Sequence, residues 1–269
     1  GRDWRYCQRR KFHYWLSKIS SPCNVKKVYI LPSLFTTGNV FCGFYAFVAV
    51  LNEQFYFAAW AIVAGMIFDG LDGRIARLTK TTSAFGEQYD SLADIITFGM
   101  APAFLAYSWV LKPFGRLGWM AAFLFLLCAT LRLARFNVTK PEIRSEHFIG
   151  LPSPASAVVI ASIVIAFEDL FATRMNPFTM VMVVYALAFL MVSNIKYPAF
   201  KQFDFKKRVV FSRFLFVILF IYVLATIPRV ALFILGITYA IIGPIGLLLK
   251  NKKLAAESNE TSPPPVNTH

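Results

Sequence analysis

The sequence is poor in charge, above all in acidic residues, and it contains very little cysteine or histidine. Charged residues make up 16% of its 269 positions, and 14 acidic residues stand against 28 basic ones. Neither the histidines nor the cysteines show ligand or paired spacing: His13, His147, His269, Cys7, Cys23, Cys42 and Cys128. These features argue against a disulfide framework and against a zinc site.

Charge is absent from long stretches of the chain. Hydrophobic residues account for 57% of it and the mean hydropathy is +0.57, which is too apolar for a typical soluble domain. The uncharged runs are 31–52, 54–68, 95–111, 117–131, 148–167, 175–195, 214–227 and 230–249. Since a membrane-spanning helix needs about 20 apolar residues, the sequence predicts an all-α, polytopic integral membrane bundle with about eight transmembrane helices.

The ends of the chain and its basic residues predict a topology. Residues 1–30 are basic and aromatic, and we interpret them as a juxtamembrane surface segment on anionic lipid, with a disordered leader as the alternative. The composition of residues 251–269 predicts a disordered, Pro-rich tail. If the N-terminus is cytoplasmic, 24 of the 28 Lys and Arg residues lie inside and four lie outside: Lys112, Arg116, Arg174 and Arg229. This bias predicts that orientation, and it assigns the net charge of +14 to topology and lipid rather than to nucleic acid.

Four aspartates border two of the uncharged runs: Asp69, Asp72, Asp90 and Asp94. On helices, each pair (i, i+3 and i, i+4) shares one face. An ionised aspartate near the hydrocarbon costs about 2.5–3.5 kcal/mol, and divalent cations with oxygen ligands offset that cost. The sequence therefore predicts a Mg²⁺ or Mn²⁺ site, with two ions. The alternative is a helix pair whose carboxylates face water or neutralise the basic residues between them: Arg74, Arg77 and Lys80.

The spacing of these residues resembles the CDP-alcohol phosphatidyltransferase family. Its pattern is D-x-x-D-G-x-x-A-R, eight residues, then G-x-x-x-D-x-x-x-D. The chain matches every fixed position: Asp69, Asp72, Gly73, Ala76, Arg77, Gly86, Asp90 and Asp94. The resemblance extends over about residues 31–162 and is closest to members that use L-serine as the acceptor. It implies an integral membrane enzyme, usually a homodimer, with a six-helix catalytic core at 31–196 and two additional helices at 197–250.

The family's chemistry implies a role for each motif residue. A metal pair on the four aspartates would grip CDP-diacylglycerol, CMP would be released, and Asp94 would take the proton of the attacking hydroxyl. The implied CDP-diacylglycerol contacts are Thr36, Gly73, Ala76, Arg77, Ser83 and Gly86. Gly73 and Ala76 are expected to leave room for the nucleotide, and Gly86 to let the second helix approach closely. The implied location is the cytoplasmic membrane, with the active site facing the cytoplasm.

Polar residues at the start of the first run allow two interpretations. In one, Ser33 is the N-cap of the first helix. In the other, Ser33, Thr36 or Asn39 lies beside the acidic cluster.

Two arginines are candidates for the acceptor site. Arg132 and Arg135 share a helix face and follow a 15-residue uncharged run, so they should reach the depth of Asp69. Arginine suits bidentate recognition of a carboxylate, and Asn137 could add a hydrogen bond. We predict that these three residues bind serine; the alternative is that the arginines are membrane anchors or bind lipid phosphate.

Other functions remain open from the sequence alone. Within the enzyme class, the acceptor could be glycerol-3-phosphate, inositol phosphate or choline. A membrane transporter would also place charge between helices, although nearer the middle of the bilayer.

Overall fold

A computed structural model describes residues 30–79, 83–138, 147–171, 173–198, 226 and 229–243, and nearly all of them are helical. The helices are α1 (Ile30–Leu51), α2 (Phe55–Leu78), α3 (Ala84–Phe114), α4 (Arg116–Val138), α5 (Ser153–Ala166), α6 (Pro177–Val192) and α7 (Arg229–Gly243). Two short strands, β1 (His147–Ile149) and β2 (Lys196–Pro198), pair antiparallel. Helix α3 includes two π-helical segments, Ile95–Met100 and Tyr107–Leu111.

Helices α1 (from Pro32), α2, α3 and α4 are long and apolar enough to cross a membrane, while α6 and α7 are apolar but shorter. The predicted all-α membrane bundle is thus confirmed as a class, and the number of crossings stays a prediction. The six predicted runs up to residue 195 correspond to α1–α6. The run 230–249 corresponds to α7 as far as Gly243. The predictions for 1–29, for 244–269 and for nearly all of 199–228 lie outside the described residues.

Helix α2 continues without a break through the first half of the aspartate motif. Its 24 residues give a length of about 36 Å, whereas the uncharged part alone is shorter than a hydrocarbon core of about 30 Å. Thr79 caps the C-terminal end of the helix, and its backbone N–H and hydroxyl both donate to the carbonyl of Ile75. Asp69 and Asp72 therefore lie in its last three turns.

The fifth predicted helix begins later than the uncharged run does. Residues 147–149 form β1, and Gly150 adopts a left-handed conformation (φ +78°), with Pro152 just before the first helical residue. A side chain on Gly150 would collide with the carbonyl oxygen of Met191, 2.4 Å from an added Cβ. From Ser156 to Ala166 every residue of α5 is buried, so this helix forms the centre of the core.

Thr97 on α3 fits into a space between α1 and α2. It is fully buried, and its hydroxyl donates to the carbonyl of Asn39 at 2.9 Å. A Cβ added to Gly43 would lie 2.6 Å from Thr97 Oγ1, and one added to Gly65 would lie 2.5 Å from Thr97 Cγ2. Two glycines on two helices therefore let α3 approach, and this approach fixes the distance between the two halves of the motif.

The close approach expected at Gly86 is not found among the described residues. Of their atoms, a Cβ added there would meet only Ser83 Oγ within 4 Å, at 3.2 Å. Gly86 belongs to the cap of its own helix, where its N–H donates to Ser83 Oγ at 3.0 Å. The expectation was wrong because it judged the glycine by its distance from Asp90 and not by the residue opposite it.

We expect Gly65→Ala to lower Tm, because the added methyl group overlaps Thr97 and overpacking of a core costs about 1–3 kcal/mol. The matched control is Gly70→Ala on the same helix, where an added Cβ meets no atom of the described residues within 4 Å. There the better helix propensity of alanine should keep or raise Tm. Thermal unfolding of the purified protein in detergent measures both. A Gly65→Ala protein as stable as Gly70→Ala would contradict the packing described for Thr97.

Candidate active site

Two helices bring three carboxylates together. Asp69 and Asp72 come from α2 and Asp90 from α3, and one carboxylate oxygen of each lies within 4.8 Å of the others. Asp94, one turn beyond Asp90, has its carboxyl group beside that of Asp69. Each aspartate pair therefore lies on one helix face, as the i, i+3 and i, i+4 spacings predicted, and all four aspartates converge.

The surroundings of the cluster fit a divalent cation. Asp72 is buried, and Asp90 has a buried oxygen that accepts no hydrogen bond. Over the described ranges, none of the four aspartates forms an ion pair. Arg77 is exposed and donates from Nε to the carbonyl of Gly73, in its own helix. Arg74 and Arg77 therefore do not neutralise the carboxylates, Lys80 lies outside the described residues, and the triad Asp69, Asp72 and Asp90 can bind a metal.

Helix α1 supplies polar partners to the cluster. The Thr36 hydroxyl donates to Asp72 Oδ2 at 2.9 Å, and the Asn39 amide donates to Asp94 Oδ1 at 3.4 Å. Helix α1 already begins at Ile30, so Ser33 is not its N-cap. The interpretation that placed Ser33, Thr36 or Asn39 beside the cluster is confirmed for Thr36 and Asn39. These two residues are spaced i, i+3 on α1 and therefore share a face.

The residues expected to contact CDP-diacylglycerol fall into two groups. Gly73 is exposed, and a Cβ added there meets no atom of the described residues within 4 Å, so in this part of the chain the face of α2 with Ala76 and Arg77 is open. Ser83 and Gly86 instead form the N-terminal cap of α3.

A further link between α1 and α3, which the sequence analysis missed, runs from the Thr37 hydroxyl to the Tyr89 hydroxyl at 3.0 Å. The ring of Tyr89 stacks on Phe85.

The structure separates the three residues predicted to bind serine. Arg132 donates from Nη1 to Ser153 Oγ at 2.8 Å, and Arg135 donates from Nη2 to Asn194 Oδ1 at 2.8 Å. Asn137 donates to Ser91 Oγ at 3.0 Å and is exposed, as is Arg135. The two arginines share a helix but have different partners.

Arg132 is the member of this set that faces the acidic residues. Its guanidinium lies within electrostatic range of Asp94, and its Nε is buried without an acceptor among the described residues. A buried donor of this kind needs an acceptor group, which a bound ligand can supply. Asp94 is thus within electrostatic range both of the other three aspartates and of a cation, Arg132.

Comparison with known proteins agrees with this geometry. The family described as CDP-alcohol phosphatidyltransferase matches residues 29–242. A Helicobacter pylori protein named CDP-diacylglycerol–serine O-phosphatidyltransferase is 37% identical over 239 residues, which cover 88% of this chain and 99% of the relative. Relatives with the same name are 34% identical over 172 residues in Bacillus subtilis (64% and 92% covered) and 32% identical over 223 residues in Methanocaldococcus jannaschii (82% and 96% covered). With a family match over most of its length and an aspartate cluster of the expected geometry, the chain belongs to the CDP-alcohol phosphatidyltransferase family.

Proposed function

We propose that this chain is a CDP-diacylglycerol–serine O-phosphatidyltransferase. The hydroxyl oxygen of L-serine attacks the phosphorus that carries diacylglycerol, the bond from that phosphorus to CMP breaks, and the serine proton passes to a base. The products are phosphatidylserine and CMP. The observation that carries this proposal is the proximity of Asp94 to both a carboxylate triad and Arg132, and the names of the relatives support serine as the acceptor.

Two divalent cations, Mg²⁺ or Mn²⁺, would be bound by the four aspartates: Asp69, Asp72, Asp90 and Asp94. When bound, such ions neutralise charge on the phosphoryl oxygens and on the departing CMP. The Thr36 hydroxyl fixes the rotamer of Asp72, because it donates to one of that carboxylate's oxygens. This contact prepares the ligand geometry before the metal arrives.

Asp94 would act as the general base. The Asn39 amide donates to one of its oxygens, which orients the carboxylate and leaves the second oxygen for the serine hydroxyl. Arg132 would receive the serine carboxylate, since a guanidinium pairs with a carboxylate through two parallel hydrogen bonds. Serine is short, so its carboxylate and its hydroxyl require a cation and a base that are close together, and Arg132 and Asp94 meet that requirement.

The nucleotide would lie on the open face of α2 at Gly73 and Ala76, where no side chain of the described residues lies within 4 Å of a Cβ added to Gly73. Arg77 would leave its own helix carbonyl and bind a phosphate of CDP-diacylglycerol. Ser83 and Gly86 would border the pocket through the cap of α3, and Arg135 and Asn137 would border the serine site. We further propose that the enzyme is a homodimer in the cytoplasmic membrane with its N-terminus and active site on the cytoplasmic side, as the distribution of basic residues indicates.

The purified protein, supplied with CDP-diacylglycerol and Mg²⁺ or Mn²⁺, should release CMP only when L-serine is added. EDTA should stop this release and excess metal should restore it. Asp90→Asn should abolish turnover without loss of folding, because it weakens the carboxylate triad. A CMP-release assay with serine, glycerol-3-phosphate, inositol phosphate and choline as separate acceptors shows which alcohol the enzyme uses.

The matched control for that experiment is Glu87→Gln, an exposed acidic residue on the same helix that lies outside the triad; it should retain activity. Full CMP release in EDTA would rule out the metal, and release with one of the other acceptors but not with serine would rule out the proposed function.

Asp94→Asn should lower kcat by at least about 100-fold, the usual contribution of a positioned general base. Binding of CDP-diacylglycerol should change little, because asparagine keeps a ligand oxygen but accepts no proton. Steady-state kinetics and a direct binding measurement separate the two effects. If binding and turnover fell together, Asp94 would be chiefly a metal ligand and the base would lie elsewhere.

Arg132→Lys should raise the KM for serine about 10-fold or more, since it replaces a bidentate partner with a point charge. The KM for CDP-diacylglycerol should be unchanged. Arg116→Lys, at the other end of α4, is the control of identical chemistry. A raised lipid KM with an unaffected serine KM would assign Arg132 to the lipid phosphate instead.

A further inference from the structure

Helix α7 lies outside the six-helix core expected for the family, yet it packs on the central helix of that core. One end is held where Arg229 forms an ion pair with Asp169, just beyond α5. In the middle, a Cβ added to Gly236 would lie 3.3 Å from Val159 and 3.5 Å from Ser162. Sequence numbers rise along α7 as they fall along α5, so the two helices run antiparallel.

This antiparallel packing brings the second half of α7 to the level at which α5 begins. Ser153, the first residue of α5, accepts the hydrogen bond of Arg132. Tyr239 lies one turn beyond Gly236, and its side chain packs against the core. Its hydroxyl and the Arg132 guanidinium are within electrostatic range of each other. Tyr239 of α7 thus lies near Arg132, and Arg132 in turn lies near Asp94.

The pattern of burial along α7 fixes the side of the helix on which Tyr239 lies. Leu232, Gly236, Ala240 and Gly243 are buried at spacings of three and four residues, and Tyr239 lies next to them on the same side. Ile234 and Ile241 are exposed on the other side. Any rotation that moved Tyr239 away from the core would also expose this buried stripe.

More than one hydrogen-bond acceptor is needed to fix the orientation of the planar Arg132 guanidinium. A guanidinium is planar and only donates hydrogen bonds, so its orientation is fixed by the acceptors around it. Ser153 engages one terminal nitrogen, and Nε has no acceptor in the described ranges. A tyrosine hydroxyl oxygen supplies an additional acceptor while its ring fills the space between helices.

We propose that Tyr239 is a positioning residue for the acceptor substrate: together with Ser153, its hydroxyl orients the Arg132 guanidinium so that this group meets the carboxylate of serine. This inference rests on the proposed function. It makes α7 part of the acceptor site, with α1, α2 and α3 carrying the donor site.

The test compares Tyr239→Phe with Tyr185→Phe. The first change removes only the hydroxyl and keeps the ring. The second removes a hydroxyl from another partly buried tyrosine, on α6, which is the matched control. Tyr239→Phe should raise the KM for serine about 10-fold, the effect of losing one hydrogen bond to a charged group. Its KM for CDP-diacylglycerol and its kcat should stay close to the wild-type values, and Tyr185→Phe should match wild type in all three. Thermal unfolding of both variants is recorded in parallel.

A double variant tests whether Tyr239 affects the serine KM through Arg132. If Tyr239 acts through Arg132, adding Tyr239→Phe to Arg132→Lys should raise the serine KM little further. Effects on the serine KM that multiply would overturn the inference. So would a Tyr239→Phe enzyme with wild-type serine KM, whether or not its Tm falls, and so would a change confined to the lipid KM. These outcomes presuppose a wild-type enzyme that releases CMP with serine, and absence of that release is instead the failure of the proposed function.

Discussion

The mutual repulsion of four carboxylates is the constraint on which the rest of the site depends. Each pair of unit charges about 5 Å apart repels by on the order of 3 kcal/mol at an effective dielectric constant of about 20. Several such pairs approach the whole stability of a typical domain. The helices must therefore be held by packing that does not involve the aspartates. Thr97 provides it, because it is locked between Gly43 and Gly65 and bonded to the backbone of Asn39.

The parts of the fold and site that follow local spacing could be predicted from the sequence. The uncharged runs indicated the helices, and the i, i+3 and i, i+4 aspartates indicated a shared face, which the structure has. Other features depend on which residue lies opposite in space. Gly86 and Gly65 are both helical glycines, and only the position of Thr97 on a different helix distinguishes their roles. Arg132 and Arg135 share a face, but the start of α5 and the end of α6 give them separate partners.

The two ends of the chain contribute to different sides of the site. Helices α1, α2 and α3 hold the carboxylates and the open glycine surface, where the CDP group that gives the family its name would bind. Arg132 donates to Ser153 of α5, and Tyr239 of α7 lies within electrostatic range of it. In the proposed function, a site divided in this way would let the acceptor side differ from protein to protein without disturbing the carboxylate geometry. The acceptor would then be determined outside the aspartate motif, which fits the finding that the motif alone gave the reaction class but not the alcohol.

In the proposed function, selectivity for an acceptor with a carboxylate would follow from the burial of Arg132. Among the described residues its Nε is buried without an acceptor, and a bound carboxylate would offset the desolvation cost of that donor. An acceptor without an anionic group, such as choline, would leave that donor unpaired and would bring a second cation next to the first. A site built to pair a polar group rejects analogues that lack it far more strongly than an apolar pocket rejects a change of size. The same burial that makes Arg132 costly to the free protein is therefore what would make the enzyme discriminate between alcohols.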